Sequence, residues 1–344
     1  MHVPSPDFSQ VRDALFARTP RYVPLAELKV DEDVMAAFLG RPYAGLPDLV
    51  DFQLRAGYDY VRVRPAYSLI YEGRTDVTAK YSVYGAGSKT ISWAQEHEGR
   101  IRSRADFDGY PFPTLDDVDF SNLREVHRLL PDGMKIMSSV TGIWESVWML
   151  MGFETFCFAC YDDPRLVADL FERLAVFHFD VFSRAIDSPG VGAMWYTDDL
   201  AYATGPMIDP ALLRRYVFPW VRRMGDLCRE RDMPFVFHSD GDVSSLIDDL
   251  LAAGVTALHP IEPKALDAAA LKRAYRGRLA LVGNIDVDLL SRASPDVVRR
   301  VTADRIRSLG PDGYCVGSAN SIPSWVPIDN FRAMTQTALS MRGS

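Results

Sequence analysis

In the second half of this chain, apolar runs repeatedly end at clusters of polar residues equipped for chemistry. Ala193 to Thr197 leads into Asp198 and Asp199, Phe235 to Phe237 into His238 and Asp240, and Ala257 and Leu258 into His259 and Glu262. Leu279 to Val282 leads into Asn284 and Asp286, and Tyr314 to Val316 into Ser318 and Asn320. The segments between these runs have helical periodicity, and strands that alternate with helices form a parallel sheet. All the clusters then converge on the carboxyl ends of the strands, the rim where a (β/α)8 barrel keeps its reactive groups. Polar residues scattered for solubility would not fall into that register. The expectation is an α/β enzyme built as a (β/α)8, TIM-type barrel.

At 344 residues with 48% apolar content, the chain can bury a core of that size. No repeat or low-complexity linker divides it, so a single barrel domain over 1–344 is expected. A formal charge of -8 without a stripe of Lys and Arg excludes a nucleic-acid surface, which needs clustered cations to displace counterions. Charges interrupt every apolar stretch before the roughly 20 residues of a membrane span. The opening Met1-His2-Val3-Pro4-Ser5-Pro6-Asp7 lacks the basic and apolar regions of a signal peptide, so a cytoplasmic protein is expected. Cys157 and Cys160 form a Cys-x-x-Cys pair with no second pair to complete a zinc site, and core packing is the reading for all four cysteines.

The first third is the least regular. Residues 22–28 read as a first strand, 47–56 as a helix and 58–63 as a second strand. From about 76 to 102, alternation broken by Gly85 and Gly87 predicts a hairpin inserted over the barrel mouth. Beyond residue 114 the pattern predicts helices over 121–130, 144–160, 164–186, 210–231, 243–253, 267–275, 295–309 and 329–341.

His238-Ser239-Asp240-Gly241-Asp242 is the sharpest motif. Residues two apart at an extended strand end point the same way, so the His238 imidazole and the Asp240 carboxylate can face one substrate or metal ion together. Gly241 permits a tight turn, and Asp242 reads as the cap of the next helix. Adjacent residues point oppositely, so one of Asp198 and Asp199 reaches the site while the other bonds backbone amides. Asn284 and Asp286 repeat the two-apart geometry, with helix capping as a competing reading for Asp286. Glu145 stands where a strand hands over to a helix, as a binding carboxylate or as an acidic first-turn residue. The candidate catalytic set is His238, Asp198, Asp286 and Glu145, with Asp199, Tyr196, Glu262, Asn284 and Glu27 as candidate substrate contacts. His259, before Pro260, has no assigned role, and neither has His97, His127 or His178.

The succession Asp198-Asp199-Leu200-Ala201, Tyr216-Val217-Phe218-Pro219, the histidine motif, Gly254 to Pro263, Gly283 to Asp286, and Ser318 to Pro323 with Val326 to Asn330 resembles the uroporphyrinogen decarboxylase superfamily. The resemblance is strongest from about residue 190 onward and implies a (β/α)8 barrel. That superfamily joins porphyrinogen decarboxylases to zinc-dependent methyltransferases that work with corrinoid proteins. Two departures point away from a porphyrinogen substrate. The decarboxylases carry an arginine-rich segment near the N-terminus, where this chain has Arg21-Tyr22-Val23-Pro24-Leu25-Ala26-Glu27. They also place an aspartate after the second strand, where this chain has Val61-Arg62-Val63-Arg64-Pro65. In the methyltransferases, zinc is held by a His-x-Cys pair and a later cysteine. Those positions fall on His238, Asp240 and Asn320, which implies a divalent metal, zinc by analogy, in a site with oxygen ligands in place of both thiolates. Such a site is harder than its relatives' and suits an ether, hydroxyl or amine substrate.

The combined expectation is a metal-assisted enzyme that moves a methyl group from a small methoxylated or methylated-amine substrate to a corrinoid on a partner protein. This chain shows no Asp-x-His-x-x-Gly signature for carrying a corrinoid itself. A homodimer is compatible with the reading. Two alternatives stay open: a cofactor-independent decarboxylase of uroporphyrinogen or a smaller pyrrole or aromatic acid, and a non-catalytic barrel that binds a tetrapyrrole or corrinoid.

Overall fold

The computed structural model describes residues 5–67, 69, 75–80, 88–93 and 99–343. In chain order the strands are β1 (Tyr60–Val63), β2 (Thr75–Lys80), β3 (Ser88–Trp93), β4 (Lys135–Thr141), β5 (Val191–Thr197) and β6 (Ala201–Tyr202). They continue with β7 (Gly205–Pro206), β8 (Phe235–His238), β9 (Ala257–His259), β10 (Ala280–Ile285) and β11 (Tyr314–Ser318). One curled parallel sheet runs β1-β4-β5-β8-β9-β10-β11, with helices covering its outer face. Strands enclosed on both faces read as continuous apolar runs, and every residue of β8, β9, β10 and β11 is buried.

The eighth stave is the segment around Leu25, expected as a full strand and reduced here to one parallel bridge, Leu25 to Val316. The Ala26 N–H donates to Val316 O and the Val316 N–H to Pro24 O. Pro24 has no N–H with which to extend the ladder. On the other side, the β1 hydroxyl of Tyr60 accepts the Glu27 N–H at 2.7 Å and donates to the Glu27 carbonyl at 2.9 Å. Side-chain bonds thus tie the seam between stave and first strand, and the architecture is the barrel that the sequence predicts.

Three predicted helices are each divided. Residues 144–160 form Ile143–Met151 and Phe153–Asp162, because Gly152 takes a φ of 77° between them. Residues 210–231 form Pro210–Tyr216 and Phe218–Glu230, the second restarting with Pro219 in its first turn, where a missing N–H does no harm. Residues 243–253 begin as a short 3-10 turn, Ser244–Leu246, before the helix Ile247–Ala252. Cys157 corrects its expectation: the helix Phe153–Asp162 buries Phe156 and Ala159, which leaves Cys157 exposed and Cys160 half-buried. Cys228 and Cys315 are buried as expected, and all four thiols are free.

The predicted hairpin is present, β2 pairing antiparallel with β3 from Thr75–Trp93 to Lys80–Ser88. Its turn at Gly85 and Gly87 lies outside the described residues. The excursion follows the carboxyl end of β1 and returns at Gly99, whose N–H donates to Met151 O. At the opposite end of the barrel, Arg342 bonds the buried Asp59 carboxylate at 2.9 Å and sits 4.3 Å from the centre of the Tyr22 ring. Among the described residues, no helix is long and apolar enough to cross a membrane.

Candidate metal centre at the barrel rim

β5, β8 and β9 pair in register so that Thr197 lies beside His238 and His238 beside His259. In-register partners on neighbouring strands present their side chains to the same face, which sets two imidazoles next to each other. The His238 and His259 Nδ1 atoms are 2.7 Å apart, with the rings stacked at 5.0 Å. Trp195 of β5 meets His259 edge-on at 4.9 Å.

Past the end of β8 the chain turns at Gly241, φ 81°, where a Cβ would lie only 2.4 Å from Ala201 O. The turn sets Asp240 near His238, and Asp199, in the loop after β5, meets both. His238 Nε2 is 3.4 Å from Asp199 Oδ1 and 3.8 Å from Asp240 Oδ1. One potential ligand atom from each of the three lies within 4.8 Å of the others. Asp199 Oδ1 also accepts the Asp240 N–H at 2.9 Å, and Asp240 Oδ2 accepts from Asn320 Nδ2 at 2.6 Å. Asp240 Oδ1 is enclosed and has no hydrogen-bond partner. A buried carboxylate oxygen without a donor is costly, and a cation would supply the missing charge. One imidazole and two carboxylates form a donor set that fits a divalent ion of borderline to hard character.

The imidazole pair bears on that fit, because a 2.7 Å Nδ1 to Nδ1 contact requires a proton on one of the two Nδ1 atoms only. With the proton on His238 Nδ1, its Nε2 lone pair faces the two carboxylates and is ready for a metal. The opposite arrangement would place an N–H there, donating to Asp199. The metal-competent form leaves the His259 proton on Nε2, an atom enclosed without a partner. Burial lowers the basicity of both imidazoles, against the pull of Asp199 in the case of His238. Neutral imidazole is the metal-binding form.

A family model described as uroporphyrinogen decarboxylase matches residues 98–341. The chain belongs to the uroporphyrinogen decarboxylase family. Among solved structures, this family member is similar to a methyltransferase from Methanosarcina mazei, 14% identical, covering 96% of this chain and 97% of that chain with a TM-score of 0.71. At that identity the likeness is one of fold. A putative vitamin-B12 independent methionine synthase from Listeria monocytogenes is 12% identical over 94% of this chain and 96% of that chain, with a TM-score of 0.47. No curated protein matches the chain.

In this uroporphyrinogen decarboxylase family member, the candidate residues separate into two groups. Glu145 and Glu262 lie around the cluster of Asp199, His238 and Asp240. Burial pushes Glu145 up to about 8, with the charges of Asp199, Asp198 and Asp240 adding to the rise. Glu262 Oε2 accepts the Gly241 N–H at 3.2 Å and braces the turn beneath Asp240. Asn320 fixes Asp240, while the third close ligand atom comes from Asp199.

The second group is occupied elsewhere. Asp198 is fully buried and accepts the Trp144 N–H at 3.1 Å, the Glu145 N–H at 2.8 Å and the Tyr196 hydroxyl at 2.9 Å. Tyr196 in turn accepts the Ile143 N–H at 2.8 Å, so both residues anchor the start of the helix Ile143–Met151. Asp286 caps the helix Val287–Arg292 through the Asp288 N–H at 2.7 Å. Asn284, at φ 77°, donates to Ile261 O at 2.8 Å. Glu27 accepts the Ser318 N–H at 2.7 Å and its hydroxyl at 2.6 Å, and burial raises its pKa to about 8. His259 escaped the sequence reading. The available signal was that the apolar runs before His238 and His259 end level in adjacent strands.

Proposed function

We propose that this member of the uroporphyrinogen decarboxylase family is a methyltransferase that takes a methyl group from an oxygen or nitrogen of a small substrate and passes it to a corrinoid on a partner protein. The observation that carries this reading is the cluster of Asp199, His238 and Asp240, with the enclosed Asp240 Oδ1 lacking any donor. A divalent ion bound there, zinc by analogy with the family's methyltransferases, supplies Lewis acidity toward the atom that bears the methyl group. His238 Nε2, Asp199 and Asp240 would hold it. His259 fixes the orientation of His238, and Asn320 that of Asp240. The departing oxygen or nitrogen needs a proton, and Glu145, beside the cluster with its carboxyl pushed up by burial, is the group to deliver it. Asp198, Tyr196 and Asp286 frame the site by holding the helix starts around it. The fold shared with a Methanosarcina methyltransferase supports the reading.

The experiment is methyl transfer to free cob(I)alamin, with 4-methoxybenzoate and trimethylamine as trial donors. Exhaustive chelation is expected to abolish transfer and added zinc to restore it, and His238→Ala is expected to show neither metal nor activity. Undiminished transfer after chelation would sink the metal role. Carbon dioxide release from 4-methoxybenzoate without any corrinoid would move the assignment to decarboxylation.

A further inference from the structure

A cavity of about 510 Å³ at the rim is lined in part by Lys29, Arg62, Arg64, Tyr67 and Gln53, with Glu32 the one acid among its described lining residues. Around the ring the order runs from the Leu25 stave through β1, β4, β5, β8 and β9 to β10 and β11. Lys29, which follows the stave, and Arg62 and Arg64, at the end of β1, therefore face β8 and β9 across the mouth. None of Asp199, His238 and Asp240 is among the cavity's lining residues.

Arginines elsewhere in this acidic chain are typically neutralised, as Arg41 is by Asp48 and Asp51, Arg214 by Asp249, Arg231 by Asp187 and Arg342 by Asp59. Among the described residues, no carboxylate pairs with Lys29, Arg62 or Arg64. Arg62 donates from Nη2 to the Ser139 hydroxyl at 2.7 Å, while its Nε is enclosed and has no partner. A guanidinium offers five donors in a planar fork matched to a carboxylate, and one hydroxyl leaves most of that capacity unused. An uncompensated charge in such a place is unfavourable until a counter-ion arrives.

We propose that this cavity is the subsite for a carboxylate of the substrate, which makes the substrate a small organic acid bearing a methoxy or methylamino group. The methyl-bearing end of that assignment rests on the function proposed above; the carboxylate subsite does not. With the carboxylate on Arg62, Arg64 and Lys29, the methylated atom extends across the mouth toward Asp199, His238 and Asp240.

The test is titration calorimetry on the full chain with 4-methoxybenzoate and its uncharged counterpart 4-methoxybenzamide, with and without bound metal. The acid is expected to bind roughly tenfold more tightly than the amide or better, with the ratio preserved in chelated protein. Lys29 and Arg64 are exposed, so Lys29→Gln and Arg64→Gln should fold normally, keep wild-type metal content and bring the ratio close to one. Equal affinities for acid and amide in the wild type, no detectable binding of the acid, or an equal loss for both probes in the variants would each overturn the proposal. Tighter binding of inorganic phosphate than of the acid would assign the cavity to a phosphate ester and overturn it equally. Because the ratio is read in metal-free protein, a failed metal assignment leaves it unchanged, and a failed ratio leaves the metal measurements standing.

Discussion

A step of one residue decides what a carboxylate does at this rim. Asp198 and Asp199 are neighbours, and opposite facing sends one to the amides of Trp144 and Glu145 and the other to His238. The sequence makes that division legible but not its direction, because only the position of the helix Ile143–Met151 decides which carboxylate finds free N–H groups. His259 was illegible for a related reason: its role depends on strand register. Replacing it by leucine removes the Nδ1 partner of His238 and is expected to weaken metal binding roughly 10- to 100-fold in a competition assay with a chelating dye. Unchanged affinity would show that the imidazole pair does not orient the ligand. Glu27 gives a pH test. Both folded and unfolded chains hold its proton well below the ordinary value of 4.5, whereas between 4.5 and about 8 the unfolded chain ionises and the folded one does not. Its contribution to stability therefore falls as pH rises through that window and levels off above it. Glu27→Gln keeps partners for the Ser318 amide and hydroxyl and removes this slope. Between pH 5 and pH 8, denaturant unfolding is expected to show a loss of stability larger in the wild type than in the variant by on the order of 3 kcal/mol.

Elements were legible where period and punctuation agreed. The helix Pro164–Ile186 has the predicted bounds because Asp163 caps it through the Leu166 N–H and Pro164 opens it. The breaks at Gly152 and before Pro219 were missed because apolar periodicity runs on through both positions while the backbone does not. Asp198 belongs to this scale. Removing its side chain leaves the Trp144 and Glu145 amides and the Tyr196 hydroxyl proton without their acceptor inside the barrel. Asp198→Ala is expected to lower unfolding stability by about 2–4 kcal/mol while the purified folded protein keeps its metal. Loss of metal without loss of stability would instead place Asp198 among the groups that act at the site.

For the molecule as a whole, the rim clusters announced the barrel because a parallel ring is the arrangement that gathers the ends of many strands. Its seam was not foreseeable, since the Leu25 stave closes through one bridge and the Tyr60 hydroxyl rather than through a ladder. The two ends of the barrel carry different burdens. At the end away from the rim, Arg342 and Asp59 form an ion pair with side chains 7% and 0% exposed. Arg342→Ala leaves the Asp59 charge buried without a counter-charge, at an expected cost of about 3–5 kcal/mol, read as a lower unfolding midpoint with metal affinity unchanged. On the proposed reading the rim carries the chemistry, and the direct test of that claim is anomalous diffraction at the zinc edge from crystals grown with zinc. The expected result is a peak about 2.0–2.2 Å from His238 Nε2 and from oxygens of Asp199 and Asp240, absent in His238→Ala. A peak at other side chains, with these three bonded only among themselves, would contradict it.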